Sequence, residues 1–239
     1  MEELLAVLIS REVKDFEMSA CGALSFIPAA GMLLASHTHA PHAEIIIQGS
    51  KEYFPFVGGP DWHNMASRGQ MDLFFIGAIE IDRHANFNLH VIGDRDHPDV
   101  LMPGLYGSGL LYYTVPRIIF FRTEHTRRFL VEKVQFISAA GSAPEGVPRR
   151  NREVKIITPR AILRRNEETR FLELESVHPG HTLKEVLDNT GFDLGVKGKV
   201  PETSPVTADE LHVLRTAVKK HMIETETYPE LARTRIMVD

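Results

Sequence analysis

Residues 71–81, "MDLFFIGAIEI", are apolar at nearly every position. A continuous apolar run, without the alternation of a half-exposed strand, is typical of a central strand buried on both faces. Such strands occur in sheets that helices cover on both sides, and these sheets are mainly parallel. The run therefore predicts an α/β protein built around an open, mainly parallel sheet.

Shorter apolar runs elsewhere in the chain predict further strands. They are "EIIIQ" (44–48), "RIIFFR" (117–122), "EKVQFIS" (132–138), "VKIITP" (154–159), "AILRR" (161–165) and "RFLELESV" (170–177). The last three follow one another closely and alternate as a hairpin or meander does, which predicts an antiparallel C-terminal portion. The segment before them, 142–153, has the Pro, Gly and charge of an exposed loop.

Three segments predict helices. They are "EELLAVLISREV" (2–13), "TLKEVLDNTG" (182–191) and "TADELHVLRTAVKK" (207–220). In the second, Thr182 is the expected N-cap, Glu185 its capping-box partner and Gly191 the expected C-cap. The Gly- and Pro-bearing segment 21–31 is assigned neither a helix nor a strand, and segment 51–64 is predicted to be irregular.

Composition excludes several classes of protein. The chain has 239 residues, a formal charge of −5 and a single cysteine. Its length fits one domain over residues 1–239, and its charge argues against a nucleic-acid partner. One cysteine excludes an internal disulfide and a cysteine-based zinc cage, and fits a reducing compartment. The N-terminal segment has acids where a signal peptide has bases, and its apolar run is too short to span a membrane, so a cytoplasmic protein is expected.

No common catalytic or metal-binding motif is present. His37, His39 and His42 lie close together in sequence, but their spacing is not that of a zinc site on a helix, so no metal is expected. A lone cysteine such as Cys21 is more often a small buried residue than a nucleophile. The segment "PGLYGSG" (103–109) matches neither the dinucleotide fingerprint nor the phosphate-binding P-loop. These features alone indicate a cytoplasmic α/β domain that binds an anionic small molecule.

The order of four segments along the chain is more informative than any single motif. They are "FFIGAIEIDRHANFN" (74–88), "PGLYGSG" (103–109), "HTRRFLVEKVQFIS" (125–138) and "VLDNTGFDL" (186–194). Together they resemble the β subunit of the family I coenzyme A transferases, of the glutaconate CoA-transferase type. The resemblance implies an open, mainly parallel α/β fold of the NagB/RpiA-like type. It also implies a homologous α subunit, an α2β2 assembly, an acyl-CoA substrate and no cofactor other than the CoA of that substrate.

The resemblance places an amide where these transferases have their nucleophile. In the family a β-subunit glutamate at the end of a strand attacks the acyl-CoA carbonyl, and the equivalent strand of this chain ends at Gln48. An amide cannot form the acyl anhydride, because it cannot become an anion near neutral pH. Glu52 is the alternative carboxylate if the alignment is displaced by a few residues. The family also contains decarboxylases and ring-opening hydrolases that lost the glutamate, and the amide at Gln48 makes the chain resemble these in character.

Several residues are candidates for binding CoA or the acyl group. Glycines would let backbone N–H groups approach a thioester oxygen or a phosphate, asparagines would bind pantetheine or their own turn, and arginines would bind phosphates or a carboxylate. The candidates are Gly104, Gly107, Gly109, Asn86, Asn88, Arg122, Arg127 and Arg128. Asp82 is expected to fix its turn. The chain has Ala85 before Asn86, where the family usually has glycine.

These observations predict a β subunit of a heteromeric enzyme that acts on an acyl-CoA by a non-covalent hydrolase or lyase route. Two alternatives stay open. One is an active CoA-transferase that moves CoA between an acyl-CoA and a free carboxylic acid. The other is a non-catalytic subunit that binds acyl-CoA.

Overall fold

The computed structural model describes residues 1–237 of the chain. Its helices are α1 (Glu2–Ser10), α2 (Phe26–Ser36), α3 (Gly59–Arg68), α4 (Ser108–Thr114), α5 (Leu183–Asp188), α6 (Ala208–Val213), α7 (Lys219–Glu224) and α8 (Pro229–Arg235). Its strands are β1 (Met18–Cys21), β2 (Glu44–Ile47), β3 (Leu73–Gly77), β4 (Glu80–Ile81), β5 (Phe87–Asn88), β6 (Val91–Gly93), β7 (Pro98–Leu101), β8 (Arg117–Phe121), β9 (Glu153–Ile157), β10 (Ala161–Arg165) and β11 (Leu172–Val177). A π-helical turn, Leu214–Val218, joins α6 to α7.

The main sheet has seven strands in the order β11-β10-β9-β8-β3-β1-β2. Strand β1 pairs in parallel with β2 and β3, and β8 pairs in parallel with β9. Strand β10 is antiparallel to both β9 and β11, as the meander pattern predicts. The expected open, mainly parallel sheet with an antiparallel C-terminal portion is therefore confirmed. The apolar run at 71–81 contains β3, whose first four residues are buried.

The chain divides into two compact units. The first comprises Met1–Phe75 and the residues from Pro205 onward, and the second comprises Ile76–Ser204. The organisation of residues 1–239 as one domain stays a prediction.

Helix α2 begins within segment 21–31 and continues to Ser36, so this Gly- and Pro-bearing segment contains the start of a helix that was not predicted. Pro28 is in the first turn of the helix, where backbone N–H groups have no intrahelical acceptor, and the proline therefore does not interrupt it. A Cβ at Gly31 would lie 2.5 Å from Cγ2 of Ile9 and 2.7 Å from the carbonyl oxygen of Ala6. This glycine thus allows α2 to pack closely on α1.

Helix α3 begins in segment 51–64, so the prediction of irregular structure is wrong for the end of this segment. Pro60 is in its first turn, and Gly69 ends it in the left-handed conformation with φ 79°. Proline near the start and glycine after the end of a helix are a common pair of signals. Trp62 and Ala66, four residues apart, are its buried residues, so the helix is anchored by one narrow apolar face.

The prediction of a strand at 132–138 is wrong. The backbone N–H of Gln135 donates to Oε2 of Glu80 over 2.9 Å, and its side-chain Nε2 donates to Oε1 over 2.7 Å. Glu80 is 3% exposed. At its centre this segment is therefore held by a buried carboxylate instead of by a neighbouring strand.

The predicted capping box of α5 is confirmed, because Thr182 and Glu185 exchange side-chain and backbone hydrogen bonds. Gly191 is not the C-cap, since the helix ends at Asp188 and Asn189 caps it. The N–H of Gly191 instead donates to the carbonyl oxygen of Leu130 over 2.7 Å. The helix predicted at 207–220 is confirmed and continues to Glu224, while the helix predicted at 2–13 ends at Ser10.

Among residues 1–237, no helix combines the length and the apolar character needed to cross a membrane.

Candidate active site

Gln48 directly follows β2, and the parallel pairing of β2 with β1 brings the carboxyl ends of the two strands together. The backbone N–H of Gln48 donates to the carbonyl oxygen of Cys21 over 3.1 Å. The backbone N–H of Ala23 donates to Oε1 of Gln48 over 3.2 Å. A Cβ at Gly22 would lie 3.8 Å from the same oxygen. The loop after β1 therefore forms one wall around the Gln48 amide, at the edge where α/β sheets bind ligands.

The orientation of the Gln48 amide follows from this contact. Because the N–H of Ala23 is a donor, it requires the amide oxygen and not the amide nitrogen as its partner. Nε2 of Gln48 consequently points to the other side, and it has no hydrogen-bond partner among residues 1–237. Gln48 is partly exposed, and Gly49 beside it is exposed with φ 91°. The amide thus presents two unused N–H donors at a strand end.

Glu52 lies on the turn that follows Gln48. The turn is closed by the N–H of Ile47, which donates to the carbonyl oxygen of Tyr53 over 2.9 Å. Glu52 is exposed on it. Burial raises the pKa of the Tyr53 hydroxyl, and the negative charge of Glu52 raises it further. Glu52 is the first carboxylate after Gln48 in the sequence, and its place on an exposed turn distinguishes it from a strand-end nucleophile.

Residues 221–228, which we call the C-terminal anchor, hold this turn in place. The buried hydroxyls of Ser50 and Thr227 are 2.8 Å apart, and the hydroxyl of Tyr53 is hydrogen-bonded to Nε2 of His221. Lys51 forms an ion pair with Glu226. Because the contacting residues are 168 to 177 positions apart in sequence, no local pattern predicts this anchor.

Tyr228 extends the anchor to the loop after β1. Its hydroxyl accepts a hydrogen bond from the backbone N–H of Ser25 over 3.2 Å. Burial raises the pKa of Tyr228 to about 12. Tyr228 has φ 52°, and in the loop itself Leu24 has φ 62°. Non-glycine residues in this left-handed region cost energy and persist only where the surroundings impose them. The tyrosine is therefore a fixed support for the loop that binds Oε1 of Gln48.

Cys21 is not placed to act as a nucleophile. It is completely buried, and burial raises the pKa of its thiol. Two histidines of segment 37–42 have separate hydrogen-bond partners. His39 is 3.0 Å from the carbonyl oxygen of Val13, and His42 is 3.0 Å from the carboxylate of Asp15. No group of three potential metal ligands occurs among the described residues.

In the second unit, Asp82 organises the turn between β4 and β5. Its carboxylate accepts the backbone N–H groups of His84 and Asn86 and the side-chain Nδ2 of Asn86, over 3.0–3.1 Å. Ala85 adopts φ 58°, a left-handed conformation that favours glycine. Oδ1 of Asn86 accepts the N–H of Gly141 over 2.8 Å. Asp82 fixes its turn as expected, and Asn86 is part of the same network.

The Asn88 amide is fully used inside the protein. The residue is completely buried, and its Nδ2 donates to Glu80 over 2.9 Å and to the carbonyl oxygen of Val91 over 2.6 Å. Its Oδ1 accepts the backbone N–H groups of His90 and Val91. Of the two roles considered for the asparagines, the bonding of their own turn is the one for which the structure provides contacts. A role in ligand binding stays a prediction.

The three glycines of segment 103–109 have different surroundings. A Cβ at Gly104 would lie 1.9 Å from the carbonyl oxygen of Leu89, so the chain has no space for a side chain there. Gly107 precedes α4 with φ 72°, a conformation that favours glycine. A Cβ at Gly109 would make only ordinary contacts, the nearest at 3.6 Å. Gly104 is thus required for packing, and Gly107 for the conformation of the turn.

The candidate arginines are paired with protein groups. Arg122 and Arg128 both donate to the carboxylate of Glu124, over 3.0–3.1 Å, and Arg127 donates to the carbonyl oxygen of Asp188 over 2.8 Å. Burial alone would raise the pKa of Glu124, but hydrogen bonds from Thr126 and the two arginines outweigh it and lower the pKa. Arg128 is largely exposed and Arg122 half-buried. Gln48 and Glu52 belong to the first unit, and all other predicted site residues to the second.

Comparison with known proteins gives a consistent result. A family profile described as Coenzyme A transferase matches residues 53–189, more than half of the chain. The chain is 32% identical to the B subunit of 3-oxoadipate CoA-transferase of Pseudomonas knackmussii, over 62% of this chain and 58% of that protein. It is 27% identical to the B subunit of glutaconate CoA-transferase of Acidaminococcus fermentans, over 85% and 87%. It is also 27% identical to the cholesterol ring-cleaving hydrolase IpdB subunit of Rhodococcus jostii, over 59% and 56%. The chain thus spans less than two thirds of the first and third of these relatives.

Solved structures establish the fold. The decarboxylase AibA/AibB matches with a TM-score of 0.76 at 24% identity, over 90% of this chain and 92% of that one. Glutaconate coenzyme A-transferase from Acidaminococcus fermentans matches with a TM-score of 0.78 at 21% identity, over 92% and 95%.

Proposed function

The chain belongs to the coenzyme A transferase family and is similar to its B subunits, and we therefore propose that it is the B-type subunit of a heteromeric enzyme. This enzyme acts on an acyl-CoA thioester without forming a covalent enzyme–CoA intermediate. The products would arise by hydrolysis or by a lyase reaction. CoA enters as part of the substrate, and the proposal requires no resident cofactor.

One observation carries the proposal. Gln48 directly follows β2, its oxygen is engaged by Ala23, and its Nε2 is free among residues 1–237. The resemblance to the transferases implies that Gln48 stands where they have a nucleophilic glutamate. A glutamine is neutral and cannot attack the thioester carbonyl. It can donate a hydrogen bond to an oxygen that becomes negative during the reaction, and a preorganised donor of this kind stabilises the transition state.

The chemistry divides between this chain and its partner. Gln48 Nε2 donates to the acyl oxygen, or holds the attacking water, while a carboxylate of the partner subunit acts as general base. In the hydrolytic case the base removes a proton from water, the oxygen bonds to the acyl carbon, and CoA leaves as the thiolate and takes up the proton. Each relative identified by sequence is named as a B subunit or an IpdB subunit, which supports a homologous α subunit as the partner of this chain. The α2β2 assembly is part of the proposal and follows from the resemblance alone.

The experiment is a trap for the covalent intermediate. The co-purified complex is incubated with acyl-CoA and treated with borohydride, which reduces a glutamyl thioester, and this chain is then analysed by mass spectrometry. We expect no adduct in the wild type. The Gln48→Glu variant is the positive control, since it restores a carboxylate at the strand end.

The Gln48→Ala variant tests the donor directly. Loss of one preorganised donor costs roughly a hundred- to a thousandfold in kcat. The matched control is Gln70→Ala, an exposed glutamine of the same unit, which should leave kcat unchanged. Full activity of Gln48→Ala would remove Gln48 from the mechanism.

An active CoA-transferase is the second candidate, because the chain is more similar to the B subunit of 3-oxoadipate CoA-transferase than to the hydrolase subunit. In that case Glu52 is the carboxylate that follows the strand most closely. A borohydride-trapped adduct on Glu52 of the wild-type chain would establish this function and refute the non-covalent route.

A further inference from the structure

The second unit contains a cavity that none of the roles above uses. Its volume is about 270 Å³. Arginines, an asparagine and small residues line it, and no carboxylate does; the residues are Gly141, Ser142, Ala143, Val147, Arg149, Asn151, Arg165 and Arg170. Ligand sites for drug-sized molecules are larger than this, from about 300 Å³ upwards. The cavity therefore suits a small group that carries negative charge.

Arg165 is fixed against the cavity by hydrogen bonds in several directions. It is 2% exposed. Its Nη1 donates to the carbonyl oxygen of Gly141 over 3.0 Å, and its Nη2 donates to Oδ1 of Asn151 over 2.8 Å. Its Nε donates to Glu167 over 3.1 Å. A guanidinium held in this way keeps its positive charge in one position and does not have to be ordered when a ligand binds.

Arg149 has donors that the protein leaves unused. Its guanidinium carbon lies 4.2 Å from the ring centre of Tyr113 and 5.1 Å from that of Tyr112, which fixes the plane of the group. Nη1 donates to the carbonyl oxygen of Ala140 over 2.8 Å. Nε and Nη2 are buried and have no partner within residues 1–237. Nδ2 of Asn151, a residue only 6% exposed, is likewise unpartnered. Unsatisfied buried donors are rare and call for an explanation.

The charge around the cavity is positive. Glu167 is the carboxylate that compensates it, with ion pairs to Arg165 and Arg170, so one negative charge faces three positive ones. Burial lowers the pKa of Arg149, and the positive charges of Arg165 and Arg170 lower it further, although the two tyrosines oppose this. An anion in the cavity would relieve this repulsion. Arg149 and Asn151 line the cavity and are the residues that carry unpartnered donors.

We propose that this cavity is an oxyanion site, which binds a phosphate or carboxylate group through Arg149 and Asn151, with Arg165 as the fixed charge behind them and Arg170 at the exposed rim. The site goes beyond the proposed thioester chemistry and does not depend on it. Its ligand could be a free anion or the terminal phosphate of a larger molecule such as CoA, and the two sources share the same recognition chemistry.

The probe is inorganic phosphate, titrated into the full chain by isothermal calorimetry. We expect saturable binding by the wild type. Hydrogen bonds to charged groups contribute about 1.5–3 kcal/mol, so Arg149→Met should weaken phosphate binding roughly tenfold to a hundredfold. Arg150→Gln, which removes an exposed neighbouring arginine, is the matched control and should bind as the wild type does.

The outcomes separate the alternatives. Competition by CoA but not by 3′-dephospho-CoA identifies the 3′-phosphate as the source, and no competition by either identifies a free anion. If Arg149→Met does not fold by circular dichroism, Arg170→Gln at the exposed rim replaces it, with a smaller but measurable loss of affinity. Absence of saturable phosphate binding by the wild type, or unchanged binding by the folded Arg149 and Arg170 variants, would overturn the proposal.

Discussion

His125 should make the stability of the protein sensitive to acid. Its ring is 3% exposed, with Nδ1 at 2.7 Å from the hydroxyl of Thr158 and Nε2 at 3.1 Å from that of Thr190. Burial lowers the pKa of His125 to about 4, and the positive charge of Arg160 contributes. Because a histidine in the unfolded chain has a pKa near 6.5, it binds a proton at pH values at which His125 of the folded chain stays neutral.

The sign and size of the effect follow from proton linkage. Between pH 6.5 and about pH 4 the unfolded state binds more protons, so the free energy of unfolding falls as the pH falls through this window. The difference between the two pKa values corresponds to about 3 kcal/mol in total, since one pKa unit corresponds to 1.36 kcal/mol. By about pH 5, about 2 kcal/mol of this should be lost relative to neutral pH.

The assay is urea unfolding followed by far-ultraviolet circular dichroism at neutral pH and at about pH 5. His125→Gln keeps a polar side chain that does not titrate, so its stability should depend less on pH than that of the wild type, by about 2 kcal/mol over this interval. The control is His97→Gln, at an exposed position, which should retain the wild-type pH dependence. Equal losses for the wild type and His125→Gln would show that His125 titrates normally and that the reasoning is wrong.

Three further predictions concern other parts of the structure. Tyr228→Phe leaves the N–H of Ser25 without its acceptor, which should lower the free energy of unfolding by about 1–3 kcal/mol. It should also lower kcat more than it changes KM. A variant with wild-type stability and kcat would contradict the role of Tyr228 as a support for the loop. Gly104→Ala places a Cβ against the carbonyl oxygen of Leu89 and should destabilise the folded protein by about 1–3 kcal/mol. Gly109→Ala, the control, should leave the stability unchanged or raise it. Equal urea midpoints for the two variants would refute the packing argument. Gly107→Val should strain the turn before α4 and weaken acyl-CoA binding while the fold survives, and calorimetry that finds unchanged affinity would assign the turn to structure only.

The sequence by itself determined those features whose signals are local. Continuous apolar runs predicted β3 and β8, because burial on both faces leaves almost no polar position in such strands. A shorter run predicted β2, whose last two residues are buried. The capping box at Thr182 and Glu185 predicted the start of α5, because both partners lie within one helical turn. The order of four segments along the chain indicated the family, and Gln48 was identified as an amide at a strand end.

Other local sequence patterns did not predict the observed structure, because contacts with residues distant in sequence determine the conformation there. Proline and glycine usually interrupt helices, yet Pro28 and Gly31 both lie in α2. Pro28 is in the first turn, where no backbone N–H donor is needed, and Gly31 allows close packing on α1. The apolar residues of 132–138 have the composition of a strand, but the side chain of Glu80 takes the backbone N–H at the centre of this segment. In each case the partner that decides the conformation is distant in sequence.

Only the tertiary structure decided how the site residues are used. Ala23 orients the Gln48 amide across 25 positions of sequence, and Tyr228 supports the same loop through Ser25 across 203. The anion cavity depends on the approach of Arg149 to Arg165, which come from an exposed loop and a strand end. Hydrogen bonds and charge pairs act over a few ångströms in space regardless of separation along the chain, so they become visible only when the chain is folded.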